Sequence, residues 1–402
     1  RRRLGRTRAL ARPENRKGFW ITKLTPRFAS ILLASCAALL AAEQDSPGEK
    51  LAFLDAPTVG QNPNPAVPLA AIVRFRTTGE NAKTTITVSV EGSAWSFHYD
   101  AQRNASEGLP LVGFRPGKEH KILVSLTGPQ GERADSEPLR FSAPALPAAP
   151  EEFPKIHLAT ADLNRAEPGF RLFNPRRRIP RETQAGNEKE RRFGESFGML
   201  LMVDGRGEPV WYYRTDSRIA GFEYDEETGR ILYVTADFRI VEIDLLGNVT
   251  RSWVTARRPQ GAASEAIPVD TLTFHHDAGR LGNGNLLALS SERRQIQDYY
   301  TSEWDKDAPR QTQWVMGDRV VEMTPEGEIL WEWKAFDHLP SKRIGYETFS
   351  QYWKRRGFPD TIDWSHANSV TKLDDGSVMV NFRYLSAVVN FDPQSGEVLW
   401  IF

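Results

Sequence analysis

Gly207-Glu208-Pro209-Val210-Trp211, Gly327-Glu328-Ile329-Leu330-Trp331 and Gly396-Glu397-Val398-Leu399-Trp400 are three copies of one pattern, G-E-x-x-W. Gly247-Asn248-Val249-Thr250, followed by Trp253, is a looser fourth copy. An apolar run and a polar turn precede each: Leu200 to Val203, Ile240 to Ile243, Val320 to Met323, and Val388 to Phe391. Each copy therefore reads as a hairpin in which Gly makes the turn and Trp anchors the outgoing strand. A second strand-turn-strand element lies upstream, in Leu281 to Leu289, in Leu373 to Val380 and in Glu227 to Val234. Joined, the two elements give four antiparallel strands per repeat, which is the blade of a β-propeller.

About four such blades fit between Phe153 and Phe402, with the insertions Ser291 to Trp314 and Asp337 to Thr361 lengthening loops. From Pro57 to Pro147 the chain alternates Thr/Val/Ile-rich runs with Gly and Pro turns, as in Thr84 to Val90 and Lys121 to Leu126. This stretch reads as a small β-sandwich, with His98 and His120 as solvated strand or turn residues. A Pro- and Ala-rich linker, Ser142 to Pro154, separates the two parts. The expected fold is thus all-β: a basic amino-terminal segment over 1–45, a β-sandwich-like domain over 57–147, and an incomplete propeller over 153–402.

Charge is unevenly placed. The formal net charge is zero over 402 residues, yet Arg1 to Phe28 carries ten Lys/Arg and one Glu. The remainder is therefore acidic, which argues against nucleic acid as a partner. No Met precedes Met199, so Arg1 is not expected to be the natural start. Behind the basic flank, Phe28 to Ala42 is a run of about 15 apolar or small residues, short of the ~20 that span a bilayer. It reads as a secretory signal, as a lipoprotein signal with Cys36 as the lipidated residue, or as a retained anchor. All three place the protein outside the cytoplasm, in the periplasm or on a membrane. Cys36 is the single cysteine, so no intrachain disulfide exists.

The repeat also serves as a ruler. His276 lies eight residues before Gly284, and Asn368 and His366 lie eight and ten before Gly376. They occupy one end of equivalent strands, and the i, i+2 spacing puts His366 and Asn368 on one face. Arg383 follows in the same blade. Two imidazoles, an amide and a guanidinium suit an oxyanion with several terminal oxygens. The matching positions hold no carboxylate, which speaks against a hard-metal site, and no cofactor is expected. Each His also has a structural reading, as a hydrogen-bonded residue within its blade. His275 alternates away from His276 and reads as structural, and the G-E-x-x-W tryptophans read as packing residues.

Asp363-Trp364-Ser365-His366-Ala367-Asn368-Ser369-Val370 resembles the D-W-x-H-x-N-S-V signature of the bacterial aryl-sulfate sulfotransferases. Asn381 to Val388 resembles that family's S-x-R-H-x-x-A-V strand, with Tyr384 where the family has His. Phe274-His275-His276-Asp277 resembles its H-H-D segment, and Asn62 to Ala71 and Leu111 to Gly117 are similar to its amino-terminal domain. The resemblance implies a six-bladed propeller that moves a sulfuryl group between phenols by a ping-pong sulfo-histidine mechanism. His276, His366, Asn368 and Arg383 would hold the sulfuryl oxygens, and the partners would be small phenols and aryl sulfates. The family's nucleophilic His is expected beyond Phe402, so residues 43–402 alone are expected to be inactive or nearly so. The alternatives are a non-catalytic binding or scaffold propeller, quinoprotein-like, and a sulfotransferase fold without activity.

Overall fold

The computed structural model describes residues 50–149, 152–160, 162, 165, 167, 169–176, 196–226, 228–259, 261 and 265–402. The targeting segment Phe28 to Ala42, with Cys36, lies outside the described residues. Almost every element is a β-strand. In the first part, Lys83–Val90 alternates strictly, with Thr84, Ile86, Val88 and Val90 inward. It is the middle of a sheet ordered Leu139–Ser142, Glu119–Thr127, Lys83–Val90, Ser93–Asp100. A three-stranded sheet of Thr58–Gln61, Ala71–Arg74 and Leu109–Leu111 shares its apolar core. That core continues into Met199, Leu201 and Tyr212 of the second part. His120 differs from its expected place in solvent. It is fully buried, takes the Arg115 amide at Nε2 (3.0 Å), and contacts Phe114 edge-on. It sits in phase with the inward Ile122, Val124 and Leu126 of its strand, and its aromatic surroundings and backbone partners satisfy the ring inside the core.

Four antiparallel sheets then follow one another along the chain. The first holds Arg171–Phe173, Gly198–Val203 and Pro209–Thr215. The second holds Ile219–Asp225, Arg230–Thr235, Arg239–Ile243 and Val249–Thr255, with Ile267–Val269 added in parallel. The third holds Ala278–Arg280, Leu286–Tyr299, Gln311–Met323 and Ile329–Lys334, with Thr361–Asp363 parallel to the long third strand. The fourth holds Ala367–Lys372, Val378–Phe382, Ala387–Phe391 and Val398–Ile401.

The G-E hairpin recurs at the same place in every sheet. In the first two, Asp204 and Asp244 accept two backbone amides each through Oδ1 and close the turn. Gly207 and Gly247 then take φ of 77° and 82°, a region where a Cβ is costly. Tryptophan ties each sheet to the next. The indole N–H of Trp211 donates to Leu245 O (2.9 Å), that of Trp253 to Pro325 O (2.9 Å), and that of Trp333 to Gly396 O (3.1 Å). Each acceptor lies in the G-E hairpin turn of the following sheet. In the third sheet the tie is made by Trp333 rather than by the motif's Trp331, which donates to Glu322 instead. Residues two apart share a strand face, so both positions point toward the neighbouring sheet.

Trp253→Ala is expected to cost about 3–5 kcal/mol, as for other buried large-to-small changes. Trp253→Phe should cost about 1 kcal/mol for the unmade hydrogen bond. Denaturant unfolding measures both. Trp400→Ala, at a position 44% exposed, should leave the midpoint nearly unchanged.

Candidate active site

His276 and His366 sit directly before the first strands of the third and fourth sheets, Ala278–Arg280 and Ala367–Lys372. Both take left-handed backbone, φ 55° and 50°. That conformation costs a β-carbon-bearing residue about 1–3 kcal/mol and persists only where the surroundings over-determine it. Here it turns two rings from different sheets onto each other, with centroids 4.9 Å apart at 69°.

The surroundings are specific. Asp318, on the long strand Gln311–Met323, is 2% exposed. One of its oxygens faces His275 Nε2 at 3.1 Å. The other accepts the Ala367 amide (2.7 Å) and the Ser365 hydroxyl. One carboxylate thus holds the residue before His276 and the residues on both sides of His366. Burial works to raise the Asp318 pKa, but these hydrogen bonds outweigh it and leave the group below the usual carboxylate value. Asp277 adds a second tie between the sheets by accepting the Val370 amide (3.0 Å).

His366 Nδ1 is 2.6 Å from Asp363 Oδ2. The other Asp363 oxygen takes the indole N–H of Trp353 (2.9 Å). A carboxylate on Nδ1 fixes the His366 tautomer and leaves Nε2 for other work. His276 Nδ1 lies 3.0 Å from His275 Nδ1, while His275 Nε2 also reaches Ser290 O (3.0 Å).

Aromatic rings wall the pair. Tyr384 stacks on His366 (4.5 Å, 28°). Tyr352 stacks on His276 (5.8 Å, 22°) and meets His366 edge-on (4.6 Å). The Arg356 guanidinium lies 3.7 Å from the centre of the Tyr352 ring. Burial pushes the Tyr352 phenol up to about 12. Burial, then the nearby His275 and His366, then the cations Arg356 and Arg176, drive the His276 imidazole far below its ordinary 6.5, so it is neutral at physiological pH.

Asn368 and Arg383 are placed differently from the two histidines. The register slips between Ala367 and Ser369, so Asn368 sits at a bulge and the i, i+2 relation to His366 does not apply. Asn368 Oδ1 accepts from Asn381 Nδ2 (3.0 Å). Arg383 opens the hairpin turn after Val378–Phe382, and its amide donates to His366 O (3.0 Å). Its half-exposed side chain pairs with Glu347 and lies 5.3 Å from the Tyr384 ring. Sequence reasoning did not single out Asp318, Tyr352 or Arg356, and quoted Asp363 without a role. Tyr352 and Arg356 come from the insertion between the third and fourth sheets, where no repeat register exists to point at them. Among the described residues no three His, Cys, Asp or Glu side chains gather to hold a metal ion.

A model of the arylsulfotransferase (ASST) family matches residues 163–402. No curated protein sequence matches the chain. Among solved structures, a protein of unknown function from Bacteroides caccae aligns over 79% of this chain and 93% of its own, at 12% identity and a TM-score of 0.29. BamB from Moraxella catarrhalis aligns over 50% of this chain and 58% of its own, at 14% identity and a TM-score of 0.21.

His276 is expected to make the fold acid-sensitive. Its folded pKa lies below the unfolded value of 6.5, so the unfolded chain binds the extra proton. The stability it contributes is complete above that value and falls as pH drops below it. His276→Asn should flatten the decline in melting temperature between about pH 7 and about pH 5. An unchanged slope would place the acid sensitivity elsewhere, with the buried His120 the next source.

Proposed function

The chain belongs to the arylsulfotransferase family, and on that premise we propose that it moves a sulfuryl group from a phenolic sulfate ester to an acceptor phenol at the His276–His366 cluster. The observation that carries this reading is the contact of two imidazoles from neighbouring sheets, ringed by tyrosines and cations and tied by buried carboxylates. The donor ester is an anion and an aromatic ring in one molecule. Polar donors suit its sulfuryl oxygens, and the Tyr352 and Tyr384 rings suit its aryl part.

His276, His366, Asn368 and Arg383 hold the sulfuryl oxygens in this reading. A further histidine attacks sulfur, the donor phenol leaves, and the resulting sulfo-histidine passes the group to the second phenol. Charge collects on the equatorial oxygens as these bonds rearrange, and fixed donors in a water-poor site stabilise it. A phenol leaves easily, so no nucleotide activation is needed. Arg383 would exchange Glu347 for the anionic substrate, and Arg356 adds positive charge beside His276. The four consecutive sheets are blades of a β-propeller on this reading, with the Trp-to-turn ties as the repeated blade contact, beside a β-sandwich-like domain over 57–147. The basic flank and apolar run of Phe28 to Ala42 support export from the cytoplasm.

The test is made with the full gene product, 4-nitrophenyl sulfate as donor and phenol as acceptor. Release of 4-nitrophenolate should depend on phenol and give parallel double-reciprocal lines. Arg383→Ala should lose transition-state stabilisation on the order of the ~3 kcal/mol of one oxyanion donor. Arg383→Lys should recover part of it, because a point charge replaces a planar fork. Absence of transfer by the full gene product, or transfer indifferent to His366→Asn and Arg383→Ala, would defeat this function.

A further inference from the structure

His275, which the sequence presents as a structural neighbour of His276, occupies the middle of a buried chain of ring nitrogens. His276 Nδ1 faces His275 Nδ1 at 3.0 Å, and His275 Nε2 faces Asp318 Oδ1 at 3.1 Å. Only one proton fits between two ring nitrogens at that distance. With both rings neutral, His275 Nε2–H donates to Ser290 O, with Asp318 Oδ1 3.1 Å away, which leaves its Nδ1 as an acceptor. His276 must then donate through Nδ1–H, and its Nε2 carries a lone pair.

We propose that His275, paired with Asp318, is the proton store of the site, loaded and unloaded through His276. This rests on the sulfuryl-transfer reading. When the acceptor phenol attacks the sulfo-histidine, its oxygen bonds to sulfur and the N–S bond breaks, returning an electron pair to the carrier imidazole. The phenol proton goes to His276 Nε2. The Nδ1 proton of His276 passes to His275 Nδ1, and His275 becomes an imidazolium against the Asp318 carboxylate. His276 ends neutral, now with Nε2–H as a donor for a sulfuryl oxygen. The donor half-reaction starts from this loaded state: His276 gives its Nε2 proton to the leaving phenolate and takes the Nδ1 proton back from His275. The proton stored in one half-reaction is spent in the other, so protons and charge balance over the full cycle.

The groups facing the relay favour this location of the proton. His276 meets the His366 ring and the Tyr352 ring, with Arg356 on the far partner of that contact and Arg176 nearby. Burial and these positive neighbours drive a proton off His276. His275 instead has Asp318, whose other oxygen is held by Ser365 and the Ala367 amide, and it packs edge-on against Trp353. Asp363 is engaged with His366 and Trp353, and Asp277 with the Val370 amide, so Asp318 is the carboxylate aimed at this pair. An ion pair enclosed there needs well-placed hydrogen bonds, and they are present.

The full gene product labelled with 15N-histidine, which adds seven imidazoles at most from these residues, allows a direct reading by long-range proton–nitrogen correlation. In the unloaded state His276 should be the Nδ1–H tautomer and His275 the Nε2–H tautomer. In the loaded state the second proton should sit on His275, with His276 switched to neutral Nε2–H. Direct charging of His276, or an Nε2–H tautomer of His276 beside a neutral His275, would overturn the proposal. In the transfer assay His275→Gln, which keeps a donor toward Asp318, should lower kcat at least tenfold with KM little changed. A wild-type kcat in that variant would leave His275 structural only. Relay tautomers in a gene product that transfers no sulfuryl group would sustain the proton store and reject the transferase reading instead.

Discussion

Asp318 is the group on which the geometry of the site depends. Removing a carboxylate from water costs several kcal/mol, and the cost is met only where every lone pair finds a good donor. Its partners come from two stretches of chain: His275 from one, and Ser365 and the Ala367 amide from the other. Satisfying one buried charge therefore fixes the approach of the segment before His276 to the segment around His366. The left-handed backbone at both histidines is held by the same demand, because relaxing either residue would strand the carboxylate.

The sheets give that hub a rigid frame. The indoles of Trp211, Trp253 and Trp333 each find an acceptor in the hairpin turn of the next sheet, so the repeat that makes a hairpin also makes the seat for its neighbour. This is why the G-E-x-x-W pattern was so legible: turn, strand and inter-sheet contact recur at one period. The legibility stopped where the period stopped. Trp333 replaces Trp331 as the tie because both share a face and the Trp331 indole N–H is taken by Glu322 of its own sheet. His120 alternates in phase with the buried Ile122, Val124 and Leu126, and backbone groups satisfy its imidazole inside the core.

At the site, the ruler of the repeat led to His276 and His366, which share a place at the start of equivalent strands. It did not foresee the bulge at Asn368, since an extra residue breaks the two-residue alternation from which a shared face was inferred. Asp318 was invisible for a different reason. It lies in the buried half of a long strand that also carries Arg319 and Glu322, and nothing in the local sequence marks which of these charges has partners at the two histidines. Tyr352, Trp353 and Arg356 belong to an insertion, and their role follows only from the fold bringing that insertion over the two rings.

The central claim is that the two imidazoles held together by Asp318 and Asp363 face the sulfuryl group of an aryl sulfate. A crystal structure of the full gene product with benzenesulfonate, an aryl sulfonate that cannot be transferred, tests it most directly. The account predicts sulfonate oxygens within hydrogen-bond distance of the His276 and His366 rings, with the phenyl ring against tyrosine. A sulfonate seated elsewhere, with both imidazoles untouched, would contradict it.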